Sequence, residues 1–165
     1  MKHKIDWQQA TEQTIDETIV NSQNEVELLY GKGFSSFHSL YALLKEEIEE
    51  YAESVSLGTP DPNELIDVAI LARAGGQWIQ NDLRKNRVGE EFYMELYISE
   101  NFSRTKKAFS QKVSEGYALE ELLLFNLNDK LNSFWNQIRK KDVYIETILE
   151  ILILCRTGLF LGIKN

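Results

Sequence analysis

The sequence predicts an all-α protein, a helical bundle of about six helices in one domain spanning residues 1–165, and three observations lead there. Only 2 of the 165 residues are proline, so little interrupts a helix, and Leu, Ile, Glu and Gln, which tolerate helix well, are abundant. Apolar residues recur at the three- and four-residue spacings that put them on one helix face. The chain also repeats itself without a gap at a shift of 83 residues, so that residues 1–82 and 84–165 read as two related halves.

The first helix is expected from about Asp6 to Tyr30, with Ile15, Ile19, Val26 and Leu29 on its apolar face, broken by Gly31 and Gly33. The second runs from about Ser36 to Val55, carrying Leu40, Leu43, Leu44, Ile48 and Tyr51 at helical spacing. Leu57–Pro62 reads as a compact loop and Asn63 as the N-cap of a third helix that continues to about Lys85. Asn86–Gly89 reads as a turn, the fourth helix as Glu90 to Val113, the fifth as starting after Gly116 and the sixth as starting near Asp142.

In the repeat, Gly33 falls on Gly116, Leu40 on Leu123, Leu44 on Leu127, Ile48 on Leu131 and Tyr51 on Phe134. Further on, Asp67 meets Glu150, Arg73 meets Arg156 and Gly75 meets Gly158. Helical periodicity alone would align the leucines, but not two glycines and an arginine in one register. The halves are therefore read as an ancient duplication.

The formal charge of −8 makes the chain a poor partner for nucleic-acid polymers, whose phosphates need dense Lys and Arg. A small anionic ligand fits only if a metal supplies compensating charge. The single cysteine, Cys155, lies in an apolar run and reads as a buried thiol, in keeping with a reducing cytoplasm. Met1 to Trp7 has no apolar core of a signal peptide, and the apolar stretch Ile145–Ile163 is interrupted by Glu146, Glu150 and Arg156. It reads as a buried helix, with no membrane partner. Its apolar surface is also compatible with a homodimer.

Acidic residues concentrate in two places. Glu47 and Glu50 lie three apart in the second helix, and Glu64 and Asp67 three apart in the third, so each pair shares a helix face. A short loop allows the two helices to pack antiparallel, which brings the four carboxylates together. Crowded like charges are unfavourable, and Asp67 sits inside the apolar run Leu65–Leu71, where an unpaired charge is costly. A hard divalent cation offsets both, and an all-oxygen ligand set favours magnesium, or else manganese, over zinc. Two plainer readings stand beside this one. Glu46, Glu49 and Glu53 fit a solvated face, and Asp67 could instead pair with Arg73 or Arg156. A di-iron bundle would need Glu-x-x-His pairs, and neither His3 nor His38 follows a glutamate by three.

Glu47-Ile-Glu-Glu50, thirteen residues, then Glu64-Leu-Ile-Asp67 resembles the signature of the all-α nucleoside triphosphate pyrophosphohydrolases, which include the MazG proteins and the dimeric dUTPases. The likeness covers about residues 34–87 and includes the flanks EIEEYAE and ELIDVAI. It implies a magnesium-dependent enzyme that cuts a nucleoside triphosphate to the monophosphate and pyrophosphate. Glu47, Glu50, Glu64 and Asp67 would hold the metal, with Glu50 also orienting the catalytic water. It further implies substrate contacts from Phe34, where an aromatic stacks on the base, and from Lys85, Asn86 and Arg87. His38 and Ser39 stand where the family has an Arg-Asn pair, so the phosphate and base contacts depart from the pattern there, with His38 read either as a further substrate contact or as a plain surface or capping residue.

In the second half Glu47 becomes Lys130, Glu50 becomes Ser133, Glu64 becomes Thr147 and Asp67 becomes Glu150. No metal is expected there, and Lys130 is expected to face Glu150 as an ammonium in place of the cation. The alternative for the whole chain is a catalytically inactive helical interaction or regulatory protein of the same fold.

Overall fold

Small hydroxyl and carboxylate side chains set the starts of the first three helices. The computed structural model describes residues 5–30, 34–84 and 93–164. The Thr11 hydroxyl accepts from the Thr14 amide at 3.2 Å and opens α1 (Glu12–Tyr30). The expected start at Asp6 is corrected because Asp6 spends its carboxylate on a turn, accepting from the Gln8 amide at 3.1 Å. Ser36 caps α2 (Phe37–Ser56) by accepting from the Ser39 amide. The cap of α3 (Pro62–Arg84) is Asp61 rather than Asn63: its Oδ1 accepts from the Asn63 amide at 2.9 Å. Pro62 takes the first helical position, where a missing N–H costs nothing. The remaining helices are α4 (Tyr93–Ser114), α5 (Leu119–Lys140) and α6 (Ile145–Lys164), so the described residues form an all-α protein of six helices. The expected glycine break at Gly31 and Gly33, the turn at Asn86–Gly89 and the start at Glu90 lie outside the described residues.

Three helices end in a left-handed residue. After α2, Gly58 has φ 77°, and the Gly58 and Thr59 amides reach back to the Val55 and Ser54 carbonyls. After α4, Gly116 has φ 103°, with Gly116 and Tyr117 donating to Val113 and Lys112. After α5 the same place is taken by Lys141, φ 56°, with Lys141 and Asp142 donating to Ile138 and Gln137. This cap holds Asp142 outside any helix, and α6 starts at Ile145, three residues later than the sequence suggests.

α3 and α6 pack together at the centre, with α2 against α3 and α5, α5 against α6, α1 on α3 and α4 on α6. The shift of 83 carries over into structure. Added to the bounds of α1, α2 and α3, it lands each on α4, α5 and α6 within a few residues. Leu40, Leu44, Ile48 and Tyr51 are buried, and so are Leu123, Leu127, Leu131 and Phe134. Gly75 lies against Leu40, and Gly158 lies against Leu123, in the same relation. α6 is buried nearly all round, as its apolar sequence requires, and Cys155 sits within it with its thiol pKa pushed up by burial. Among the described residues no helix is long and apolar enough to cross a membrane.

Candidate metal centre

The loop from Leu57 to Asp61 reverses the chain tightly, so the second half of α2 lies beside the first turns of α3. That register brings Glu47, Glu64 and Asp67 together: each offers one carboxylate oxygen, and the three oxygens lie within 4.8 Å of one another. Glu50 is exposed at the rim of this group, near enough for its charge to act on Glu47 and Glu64. Glu46, Glu49 and Glu53 point to solvent, as a charged helix face should.

Burial and mutual repulsion strain the electrostatics of the cluster. Burial, then the charges of Asp67 and Glu50, push Glu47 from 4.5 up to about 8. Burial, and then Glu50, also raise Glu64. Protonation is therefore the way the cluster relieves itself when no cation is present. The N-terminus of α3 favours Glu64 but cannot neutralise four acids. Two buried oxygens, Glu47 Oε2 and Glu64 Oε2, have no hydrogen-bond partner. Orphaned buried oxygens in an all-oxygen donor set fit a hard divalent cation such as magnesium or manganese. Glu47, Glu64 and Asp67 would hold it, with Glu50 completing the set from the rim.

The arginines considered as partners for Asp67 are engaged elsewhere. Arg73 Nη2 binds Glu95 of α4 at 2.6 Å, and Arg156 Nη2 binds Asp16 of α1 at 2.6 Å. These pairs cross between the halves in mirrored fashion. They line a cleft of about 410 Å³ between α1 and α4 together with Lys106 and Glu12, which also pair, at 3.7 Å. Three cations meet three anions there, so the cleft is electrically balanced.

Phe34 is buried, with its ring edge-on to Trp78 at 5.5 Å between centroids, rather than open to stack on a base. His38 is exposed and meets Trp135 of α5 at 5.7 Å. It lies nine residues before Glu47, about 13 Å along the helix axis and half a turn round, on another face from the acids. Lys85, Asn86 and Arg87 lie outside the described residues.

The second half supplies an internal comparison. Lys130 Nζ lies 3.0 Å from Glu150 Oε2, as expected from the alignment of these two with Glu47 and Asp67. Thr147, at the place of Glu64, accepts a hydrogen bond from Gln137 at 2.7 Å. Sequence reasoning missed two further residues here. Tyr97 of α4 donates to Glu150 Oε1 at 3.0 Å, and Tyr93 to Glu146 Oε1 at 2.9 Å. Tyr93 and Tyr97 were legible in the sequence only as two tyrosines one turn apart on α4. The chain matches no family model, no curated protein and no solved structure, so the centre is read from its own geometry.

Proposed function

We propose that the chain is a magnesium-dependent nucleoside triphosphate pyrophosphohydrolase, releasing pyrophosphate and a nucleoside monophosphate. The observation that carries this reading is the convergence of Glu47, Glu64 and Asp67 with two buried, unpartnered oxygens among them. The ammonium of Lys130 beside Glu150 supports it, since the matching place in the other half is held by a positive charge. The resemblance of ExxE and ExxD to the MazG-like enzymes gives the reaction class.

Magnesium bound at the centre supplies charge neutralisation for the triphosphate and Lewis acidity at the scissile phosphorus. The chain's own residues do the rest. Glu47, Glu64 and Asp67 fix the cation from two rigid helices, so little reorganisation is needed when substrate arrives. Glu50, at the rim and within reach of Glu47 and Glu64, orients a water and accepts its proton as the water oxygen attacks phosphorus. The α–β anhydride bond breaks, and its electron pair leaves with pyrophosphate.

The test is pyrophosphate release from the standard NTPs and dNTPs, with and without magnesium, in wild type, Glu50→Gln and Asp67→Asn. Magnesium-dependent release that disappears in both variants supports the enzyme. The burial of Phe34 on Trp78 favours a second reading, a catalytically inactive helical interaction module. No release from any substrate, with no rise in Tm on adding magnesium, would select it.

A further inference from the structure

A tyrosine buried in a helical core usually gives its hydroxyl a partner. Tyr51 is 2% exposed, yet its hydroxyl makes no hydrogen bond to the described residues. It lines a cavity of about 330 Å³ where the second half of α2 and the start of α3 meet α5 and α6. Leu65, Leu119, Leu123 and Leu159 make the walls apolar, and Trp7, from the segment before α1, adds an indole. Glu120, half-buried in the first turn of α5, is the one charged group among the described lining residues. It forms no ion pair with the described residues. Burial, and then the charge of Glu120, push the Tyr51 phenol upward, so the carboxylate stands near that hydroxyl.

The other half shows how the same place looks when it is simply packed. The shift of 83 puts Phe134 at Tyr51, Phe37 at Glu120 and Ile79 at Gly162. Phe134 and Ile79 are buried, and the Phe37 ring lies on Trp78, 5.2 Å between centroids. Around the cavity the hydroxyl, the carboxylate and the glycine occur together, where the matching positions carry three apolar side chains. Core packing needs none of the three.

We propose that this cavity binds a small organic ammonium, an amine on an apolar body, with its head at the Tyr51 hydroxyl and Glu120 and its body against the leucines and Trp7. The carboxylate accepts hydrogen bonds from an ammonium and repels an acid, and an indole in the wall favours a cation further. The cavity has the size of a small-molecule site, and the chain's net charge of −8 draws cations toward it. Glu47, Glu64 and Asp67 do not line it, so the proposal is independent of the enzyme reading.

The experiment is calorimetric titration of the full chain with phenylbutylamine, neutral phenylbutanol and anionic phenylbutyrate. The amine is expected to bind about tenfold more tightly than the alcohol, and the acid not at all. Glu120→Gln should remove the preference for the amine, while Glu121→Gln, at the exposed neighbour, should keep it. Tyr51→Phe, which copies the second half, should weaken the amine about threefold yet melt at or above wild type, since it deletes a hydroxyl without a partner. A Cβ at Gly162 would meet only Leu119 Cδ2, at 4.0 Å, so the side chain of Gly162→Leu can enter the cavity and should abolish binding of amine and alcohol alike. An amine that does not bind wild type, or binds no better than the alcohol, overturns the inference. So does amine binding that survives Gly162→Leu, which would place it elsewhere on the acidic surface.

Discussion

Replacing Glu47 by Gln exchanges an ionisable group for its neutral isostere, and the effect on stability depends on pH in a calculable way. In the metal-free protein, burial and the carboxylates of Asp67 and Glu50 raise Glu47 from 4.5 to about 8. The unfolded chain ionises near 4.5, so between these values the folded protein holds a proton that the unfolded chain has lost. The stability due to that proton is complete below about pH 4.5 and is lost as pH rises through about 8. For a group sealed from water the difference would be about 5 kcal/mol, at about 1.4 kcal/mol per pH unit. Glu47 is only partly buried, and solvent screening reduces this to roughly 1–2 kcal/mol. Gln cannot ionise in either state. In EDTA, Glu47→Gln should therefore melt with wild type near pH 4.5 and above it at pH 9, by roughly 3–6 °C. Excess magnesium at pH 8 should reverse the order, raising the Tm of wild type and not that of the variant, which has lost a ligand. Scanning calorimetry at the two pH values, with and without magnesium, decides the matter. A margin that does not grow with pH would show that Glu47 is not crowded. Equal stabilisation of both proteins by magnesium would show that it is not a ligand.

Lys130→Met should cost about 1–2 kcal/mol in urea denaturation, because it strands the partly buried Glu150, and adding Glu150→Leu should recover part of the loss. Gly158→Ala should destabilise more than Gly75→Ala, about 2–3 against about 1–2 kcal/mol in the same assay. A Cβ at Gly75 would meet Leu40 Cδ2 at 2.8 Å, and one at Gly158 would press closer still on Leu123, while helix propensity offsets part of both. Arg156→Met should cost about 2–3 kcal/mol and Arg73→Met about 1 kcal/mol, since the Arg156 guanidinium also lies 4.3 Å from the Phe102 ring centroid and its partner Asp16 is less exposed than Glu95. Equal losses at the two arginines would mean that the ring contact and the depth of the pair contribute nothing.

Most of the fold was legible because it is written in short-range signals. The apolar faces of α2 and α5 are continuous, and the residues read from them are the buried ones, except the half-buried Leu43. The errors lie at helix starts, where several residues compete for one role. Asp61, Pro62 and Asn63 all favour a helix start, and the ring of Pro62 at the first position decides in favour of Asp61 as the cap. Asp6 resembles a cap but closes a turn, so α1 waits for Thr11. Three acids of the candidate centre were legible because i,i+3 spacing on adjoining antiparallel helices forces convergence. The crossed pairs Arg73–Glu95 and Arg156–Asp16 were not, because charge pairing across a bundle depends on which helices become neighbours, and the sequence alone says nothing of that. Tyr97 was missed for the same reason.

The comparison between the halves bears on why the acidic cluster exists. Both halves have helix bounds that match within a few residues, a matching apolar face and the same glycine–leucine contact, so the surroundings of the two positions are alike. In one, a lysine, a serine, a threonine and a glutamate leave the position with a paired charge and satisfied hydrogen bonds. In the other, burial and neighbouring carboxylates raise the pKa values of Glu47 and Glu64, and one buried oxygen of each has no partner. The fold thus accommodates the more stable solution at this place, and it does so within the same chain. Packing or solubility cannot account for the less stable one, since partly buried like charges serve neither. A local arrangement that works against folding, set in otherwise consistent helices, is the pattern expected of a functional site. On the proposed function, those four acids are explained by a cation among them.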